Sequence, residues 1–153
     1  MATEIERKFL VTNNSWKENA PYSLFKQAYL NSTPERTVRI RIAGSQAFIT
    51  IKSKNTGIQR QEFEYSIPVA DAEQLLLLCE TAPLEKIRHR VEHDGHCWEI
   101  DEFLGLNQGL LVAEIELQDE QEFFSKPEWL GAEVSDDPRY FNSYLANHPF
   151  TSW

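Results

Sequence analysis

Acidic and basic side chains recur in this chain two residues apart, in runs of one sign. Glu4 and Glu6 precede Lys8, and Arg39 precedes Arg41. Lys86, Arg88 and Arg90 follow one another at the same interval, and Glu62 and Glu64 repeat it. Glu99 and Asp101, then Glu114 and Glu116, add two more acidic doublets. In an extended strand, residues two apart share a face, so each run projects as one charged patch. Like charges at neighbouring positions repel, which is a poor way to solubilise a surface. They make sense around a multivalent ligand. Paired carboxylates suit hard divalent cations, which prefer oxygen ligands. Clustered bases suit phosphate oxygens, to which arginine offers a planar fork. A polyphosphate held between a basic wall and a metal-bearing acidic wall satisfies both.

The elements that must position these groups are strands. Apolar residues alternate with the charges: Ile5 and Phe9 oppose Glu4, Glu6 and Lys8, and Ile40 and Ile42 oppose Arg39 and Arg41. Ile51 opposes Lys52, Ile87 and Val91 oppose the Lys86 run, and Trp98 and Ile100 oppose Glu99 and Asp101. Period-two alternation predicts eight strands, over Glu4–Val11, Ser23–Leu30, Thr37–Ala43, Gln46–Ser53, Arg60–Ile67, Glu85–Glu92, His96–Phe103 and Leu111–Gln118. Gly44-Ser45, Asn55-Thr56-Gly57 and Asp94-Gly95 mark turns. Ordinary amphipathic strands put their charges in water. The density and sign segregation of charge here favour the reverse: charged faces turned into a water-filled lumen, apolar faces outward under helices. Three helices are predicted: Ala72–Thr81 behind an Asp71 cap, Asp119–Ser125 behind Asp119, and Arg139–Ala146 behind Asp136-Asp137-Pro138. No linker divides the chain, so residues 1–153 read as one domain of mainly β, α+β class.

Composition narrows the function classes. The 153 residues are 41% hydrophobic and 25% charged, as in a globular protein, and the net charge of −9 argues against a nucleic-acid partner. No apolar run approaches the roughly 20 residues that span a bilayer, so no membrane association is expected. Acids occupy the N-terminal stretch where a signal peptide carries bases, which makes the cytoplasm the expected compartment. Cys79 and Cys97 read as thiols, and the four histidines form no HExxH zinc pattern.

The order of motifs resembles the CYTH superfamily, the triphosphate tunnel metalloenzymes. Glu4-Ile5-Glu6-Arg7-Lys8 resembles its ExExK signature, Arg39-Ile40-Arg41 its RxR strand, and Thr50-Ile51-Lys52-Ser53 its TxKS strand. Glu62-Phe63-Glu64, Lys86-Ile87-Arg88, Glu99-Ile100-Asp101 and Glu114-Ile115-Glu116 resemble the segments that follow, from about residue 4 to about residue 145. The resemblance implies an eight-stranded antiparallel β-barrel forming a charged tunnel, with the C-terminal helix (about 138–146) plugging one end. It implies a hydrolase of triphosphates, foremost inorganic tripolyphosphate cut to pyrophosphate and phosphate, with Mg²⁺ or Mn²⁺. By the same resemblance Glu4, Glu6, Asp101, Glu114 and Glu116 become metal ligands, direct or through water. Lys8, Arg39, Arg41, Lys52, Lys86 and Arg88 become phosphate binders, and Arg90 extends that wall. Glu62 and Glu64 are expected to hold the basic side chains in place, and Glu99 is either a supporting acid or a rim charge.

Tyr29 matches a tyrosine that short bacterial members carry on the second strand as a proposed proton acceptor; its alternative is an ordinary strand aromatic. Free tyrosine is a weak base near neutral pH and depends on neighbouring cations to become a better one. Lys52, or an arginine, is expected to stabilise the leaving pyrophosphate. A class IV-type adenylate cyclase, or a thiamine or nucleoside triphosphatase, would use the same tunnel. The first needs an adenine pocket, and the second an aromatic platform that Trp16, Trp129 or Trp153 would have to supply. A non-catalytic polyphosphate-binding module would keep the basic wall and lose the acids, which are all present. The apolar outer face suits a homodimer, unless Tyr140, Phe141, Phe150 and Trp153 cover it.

Overall fold

The computed structural model describes residues 3–153. Nine strands form one antiparallel sheet: β1 (Thr3–Val11), β2 (Tyr22–Thr33), β3 (Arg36–Ala43), β4 (Gln46–Ser53), β5 (Gln59–Ile67), β6 (Leu84–His93), β7 (His96–Phe103), β8 (Leu111–Leu117) and β9 (Leu130–Glu133). Their order is β5-β4-β3-β2-β6-β7-β8-β1-β9. A further β1–β5 pairing, with Glu4 opposite Arg60, closes the first eight into a barrel. All eight predicted strands are present. Asp94 and Gly95, both with positive φ, make the tight β6–β7 turn that a two-residue hairpin demands.

The ninth strand is too short to show a period. β1 offers one edge to β8 along six residues, while its other edge is divided between β5 at Thr3–Ile5 and β9 at Phe9–Val11. Gly131 permits the second contact, since a Cβ there would stand 3.0 Å from the Leu10 carbonyl oxygen. Arg7 and Glu133 fasten it from outside, at 2.6 Å.

Outward faces carry the apolar cores. Phe9, Trp98, Ile100, Ala113 and Ile115 pack under Trp16, Phe124 and Trp129, which come from the loops after β1 and β8. Ala28, Ile40 and Ala47 pack under Ala72 and Leu76 of α1 (Val69–Leu78). A third cluster differs. Leu84, Phe103 and Val112 share parity with the charged residues of their strands, and they meet Leu110 and Leu145 at one end of the bore. Leu145 belongs to α2 (Asn142–Leu145).

The helices depart from the sequence reading. α1 begins three residues early, at Val69 behind Pro68, with Asp71 in its first turn and not at its cap. It ends before Thr81 because residues 79–81 are drawn onto β2: the Tyr29 N–H donates to Thr81 Oγ1, and Glu80 N–H to the Tyr29 carbonyl. Asp119–Ser125 is not helical. Asp119 accepts from Gln121 N–H in a side-chain turn, and buried Phe124 is drawn extended into the outer core. The predicted Arg139–Ala146 helix is broken in two, a 3₁₀ turn over Pro138–Tyr140 and then α2, with Phe141 extended between them. Asp137 does cap the first piece, accepting from Arg139 N–H.

Candidate active site

The barrel encloses a cavity of about 410 Å³, within the range of small-molecule sites. Every residue singled out from the sequence for metal, phosphate or proton transfer lines it, except Asp101. Solvent-facing strands would leave these charges in water. Instead Glu4, Lys8, Arg39, Arg41, Lys52, Lys86, Arg88 and Glu114 are all buried. The strand order largely sorts them by sign. β7, β8, β1 and β5 bring Glu99, Glu114, Glu116, Glu4, Glu6, Glu62 and Glu64 to one arc of the wall, with Lys8 and Arg60 as the cations among them. β4, β3 and β6 bring Lys52, Arg39, Arg41, Lys86, Arg88 and Arg90 to the other.

Acids crowd the first arc. Glu6 faces Glu116 directly across the β1–β8 ladder, and Glu99 faces Glu114 across β7–β8. Burial, then the Glu114 and Glu4 carboxylates, pushes Glu6 well above the usual carboxylate range. Burial also raises Glu116, helped by Glu4 and Glu99. Burial would raise Glu114 too, but Lys8 and Arg88 outweigh it and hold Glu114 well below that range. The same opposition at Glu4, with Lys52 and Arg60 prevailing over burial, places it at about 2. Among the described residues no three His, Cys, Asp or Glu side chains stand together at metal-ligating spacing, so an ion here requires these carboxylates to regroup.

Arg90 apart, each cation of the cavity wall is held by a partner. Lys52 Nζ sits 3.2 Å from Glu4 and 3.3 Å from Glu62. Glu64 accepts from Thr50 Oγ1 at 2.8 Å, and Thr50 Oγ1 accepts in turn from Arg39 at 3.2 Å. The Phe25 ring meets two guanidinium groups, 4.7 Å from Arg41 and 4.9 Å from Arg88. Lys8 lies 3.7 Å from Glu114 and donates to the Tyr140 carbonyl at 3.2 Å. Burial drives Lys86 down to about 7 and, with Arg39 and Arg88 adding repulsion, Arg41 down to about 9. Tyr29 is buried and lines the cavity.

Asp101 stands apart from the acids with which the sequence grouped it. It is wholly buried, and both oxygens are taken: Oδ1 by Arg88 Nε at 2.8 Å, Oδ2 by Lys86 Nζ at 2.6 Å and Arg88 at 2.9 Å. Burial alone would raise it, but Arg88 and Lys86 keep it ionised. Its place is beneath the basic arc, as the counter-ion that orients two cations.

Sequence reasoning missed several neighbours. Arg60 donates to Glu4 at 3.2 Å, and its parity with Glu62 and Glu64 was a usable signal. Gln27 shares the Tyr29 face, and Thr50 the Lys52 face. Asn142 lies in no strand, and no signal marked it. Trp16 and Trp129 are buried in the outer layer, and Trp153 packs on Tyr140 and Phe150. The aromatics on the cavity wall are Phe25, Tyr29, Phe48 and Phe141.

A closed antiparallel barrel whose bore is divided into an acidic and a basic arc defines a charged-tunnel protein. The chain belongs to the CYTH domain family, whose model matches residues 2–141. It is 44% identical to an inorganic triphosphatase of Acetivibrio thermocellus over 100% of this chain and 99% of that one. It is 38% identical to an inorganic triphosphatase of Nitrosomonas europaea over 94% and 97%. A crystal structure of an inorganic triphosphatase superposes over 95% of both chains at 36% identity, with a TM-score of 0.69.

Proposed function

We propose that this protein is a divalent-metal-dependent triphosphatase that hydrolyses inorganic tripolyphosphate to pyrophosphate and phosphate inside the barrel. The observation that carries the reading is the facing of an acidic and a basic arc across one enclosed cavity. Full-length similarity to proteins named inorganic triphosphatase supports the choice of substrate.

Phosphoryl transfer needs charge neutralisation and in-line placement more than covalent help. Arg39, Arg41, Lys86 and Arg88, with Lys8, Lys52 and Arg90, would bind the phosphate oxygens. Glu62, Glu64 and Asp101 aim these cations without entering the cavity chemistry. The donor set of Glu4, Glu6, Glu114 and Glu116 fits Mg²⁺ or Mn²⁺. All four are hard oxygen donors, and the Glu114 and Glu4 carboxylates help push Glu6 up, a repulsion that a divalent ion would relieve. When bound, such an ion supplies neutralisation of the triphosphate and activation of water. Tyr29, on the cavity wall, would take the proton from the attacking water, and Lys52 would stabilise the departing pyrophosphate. Leu145, Phe141 and Asn142 of the C-terminal segment would cover one end of the bore and leave the other for substrate.

The test is phosphate release from tripolyphosphate, ATP and thiamine triphosphate, each with Mg²⁺ or Mn²⁺ and each with chelator. Rapid, chelator-sensitive release from tripolyphosphate above the other two is the expected result. Cyclic AMP and pyrophosphate from ATP would instead make the bore a cyclase site. Binding of tripolyphosphate without turnover would reduce it to a binding module.

A further inference from the structure

One side chain of the C-terminal segment reaches the basic arc. Asn142 Oδ1 accepts from Lys86 Nζ at 2.8 Å and from Gln27 Nε2 at 3.1 Å. Gln27 is fully buried on β2, and its Oε1 accepts from Arg41 Nε at 2.9 Å. β2 lies between β3, which carries Arg41, and β6, which carries Lys86. Two neutral amides therefore bridge two cations from the strands on either side of β2.

The polarity of this bridge is determined at both ends. Arg41 and the charged form of Lys86, the form that binds phosphate, can only donate. Gln27 must therefore turn its oxygen to Arg41 and its NH₂ to Asn142, and Asn142 must present its oxygen to both Gln27 and Lys86. Flipping either amide would set donor against donor. The choice of amides also has a physical reason. A carboxylate at either position would cancel charge that phosphate binding needs, and would repel the ligand. An apolar side chain would leave buried cations short of acceptors. An amide orients a cation while leaving its charge intact.

We infer that Gln27 and Asn142 are positioning residues for phosphate binding. They act through Arg41 and Lys86, and hold the remaining N–H groups of both toward the cavity. The inference rests on the tripolyphosphatase reading for its substrate, and on the hydrogen-bond geometry for its residues.

The experiment compares wild type with Asn142→Leu, Gln27→Leu and the double variant, with thermal melts to verify folding. Steady-state kinetics with tripolyphosphate and Mg²⁺ are paired with calorimetric binding of tripolyphosphate in chelator, where turnover plays no part. Losing one hydrogen bond to a charged group should raise KM, and the calorimetric Kd, about tenfold in each single variant, with kcat within about twofold. The double variant should be no worse than the weaker single, because both break one relay. Gln27 is wholly enclosed; if its variant does not fold, Asn142→Leu decides alone, since Asn142 sits in a short, partly exposed turn. Unchanged KM and Kd in Asn142→Leu, additive losses, or a loss confined to kcat would overturn the inference. A wild type that binds but does not turn over, with variants that bind more weakly, overturns the catalytic reading and keeps this one. A wild type that neither binds nor turns over overturns both.

Discussion

Glu6 and Glu114 lie diagonally across the β1–β8 ladder and are pushed in opposite directions, Glu6 up by burial and by the Glu114 carboxylate, Glu114 down by Lys8 and Arg88. Like charges this close disfavour ionisation of both carboxyls, and a divalent cation between them would relieve that cost. Glu6→Gln imitates the protonated carboxyl. It should leave the metal-free fold within about 1 kcal/mol of wild type. It should also abolish the rise in Tm on adding Mg²⁺ or Mn²⁺, and lower phosphate release at least about 100-fold. Melts with and without metal, beside a phosphate assay, check all three.

Asp101 separates a metal ligand from a counter-ion. Asp101→Asn leaves Lys86 and Arg88 without their buried partner, which should cost about 3–5 kcal/mol in urea unfolding. The metal-induced rise in Tm should persist. Its disappearance would return Asp101 to the metal-binding set.

Tyr29→Phe removes one hydroxyl and keeps the buried ring. If the phenol takes the proton from the attacking water, kcat for tripolyphosphate should fall about 100-fold or more while KM changes little. A kcat within about twofold of wild type would assign water activation elsewhere.

Lys86 sets a pH limit on binding. Its ammonium is held down to about 7, so the free protein loses this charge as pH rises through that value, and kcat/KM should decline there. Stability moves oppositely. The folded-state pKa lies below the unfolded value of about 10.4, so between the two the unfolded chain holds more protons. Through this group, folding stability rises with pH across that window. Activity lost on the alkaline side should thus be recovered on returning to pH 7, without any fall in Tm. Lys86→Met should remove the decline in the kcat/KM profile while lowering affinity at every pH.

The strands and the wall they build were legible because two signals coincided, period-two alternation and charge sorted by sign. Burial of Arg39, Lys52 and Lys86 agrees with the inward orientation inferred from like-charged doublets. What escaped lay outside that period. β9 has four residues and is specified by backbone approach at Gly131, which no pattern of side chains announces. The segment after β8 has helix-forming residues, yet Phe124 is claimed by the outer core and Phe141 by the cavity wall, so tertiary contacts override local preference. Asp101 shares spacing and face with Glu99, and only register separates them: Asp101 falls opposite Arg88, whereas Glu99 falls opposite Arg90 nearer the solvent.

The closing pairs of the barrel bear on how the chain folds. β1 comes first in sequence, yet its six-residue partner, β8, is the last strand of the closed ring. Three residues of β5 are all that it meets earlier. The hairpins from β2 to β5 and from β6 to β8 join near neighbours and can form early, whereas closure must wait for a loop of about one hundred residues to be drawn shut. Until that moment no acidic arc faces a basic one, and Glu4, Glu6 and Lys8 remain in water. The late, slow step in refolding and the assembly of the charged cavity are therefore one event, and a polyanion that bridges the two arcs acts on the closed state alone.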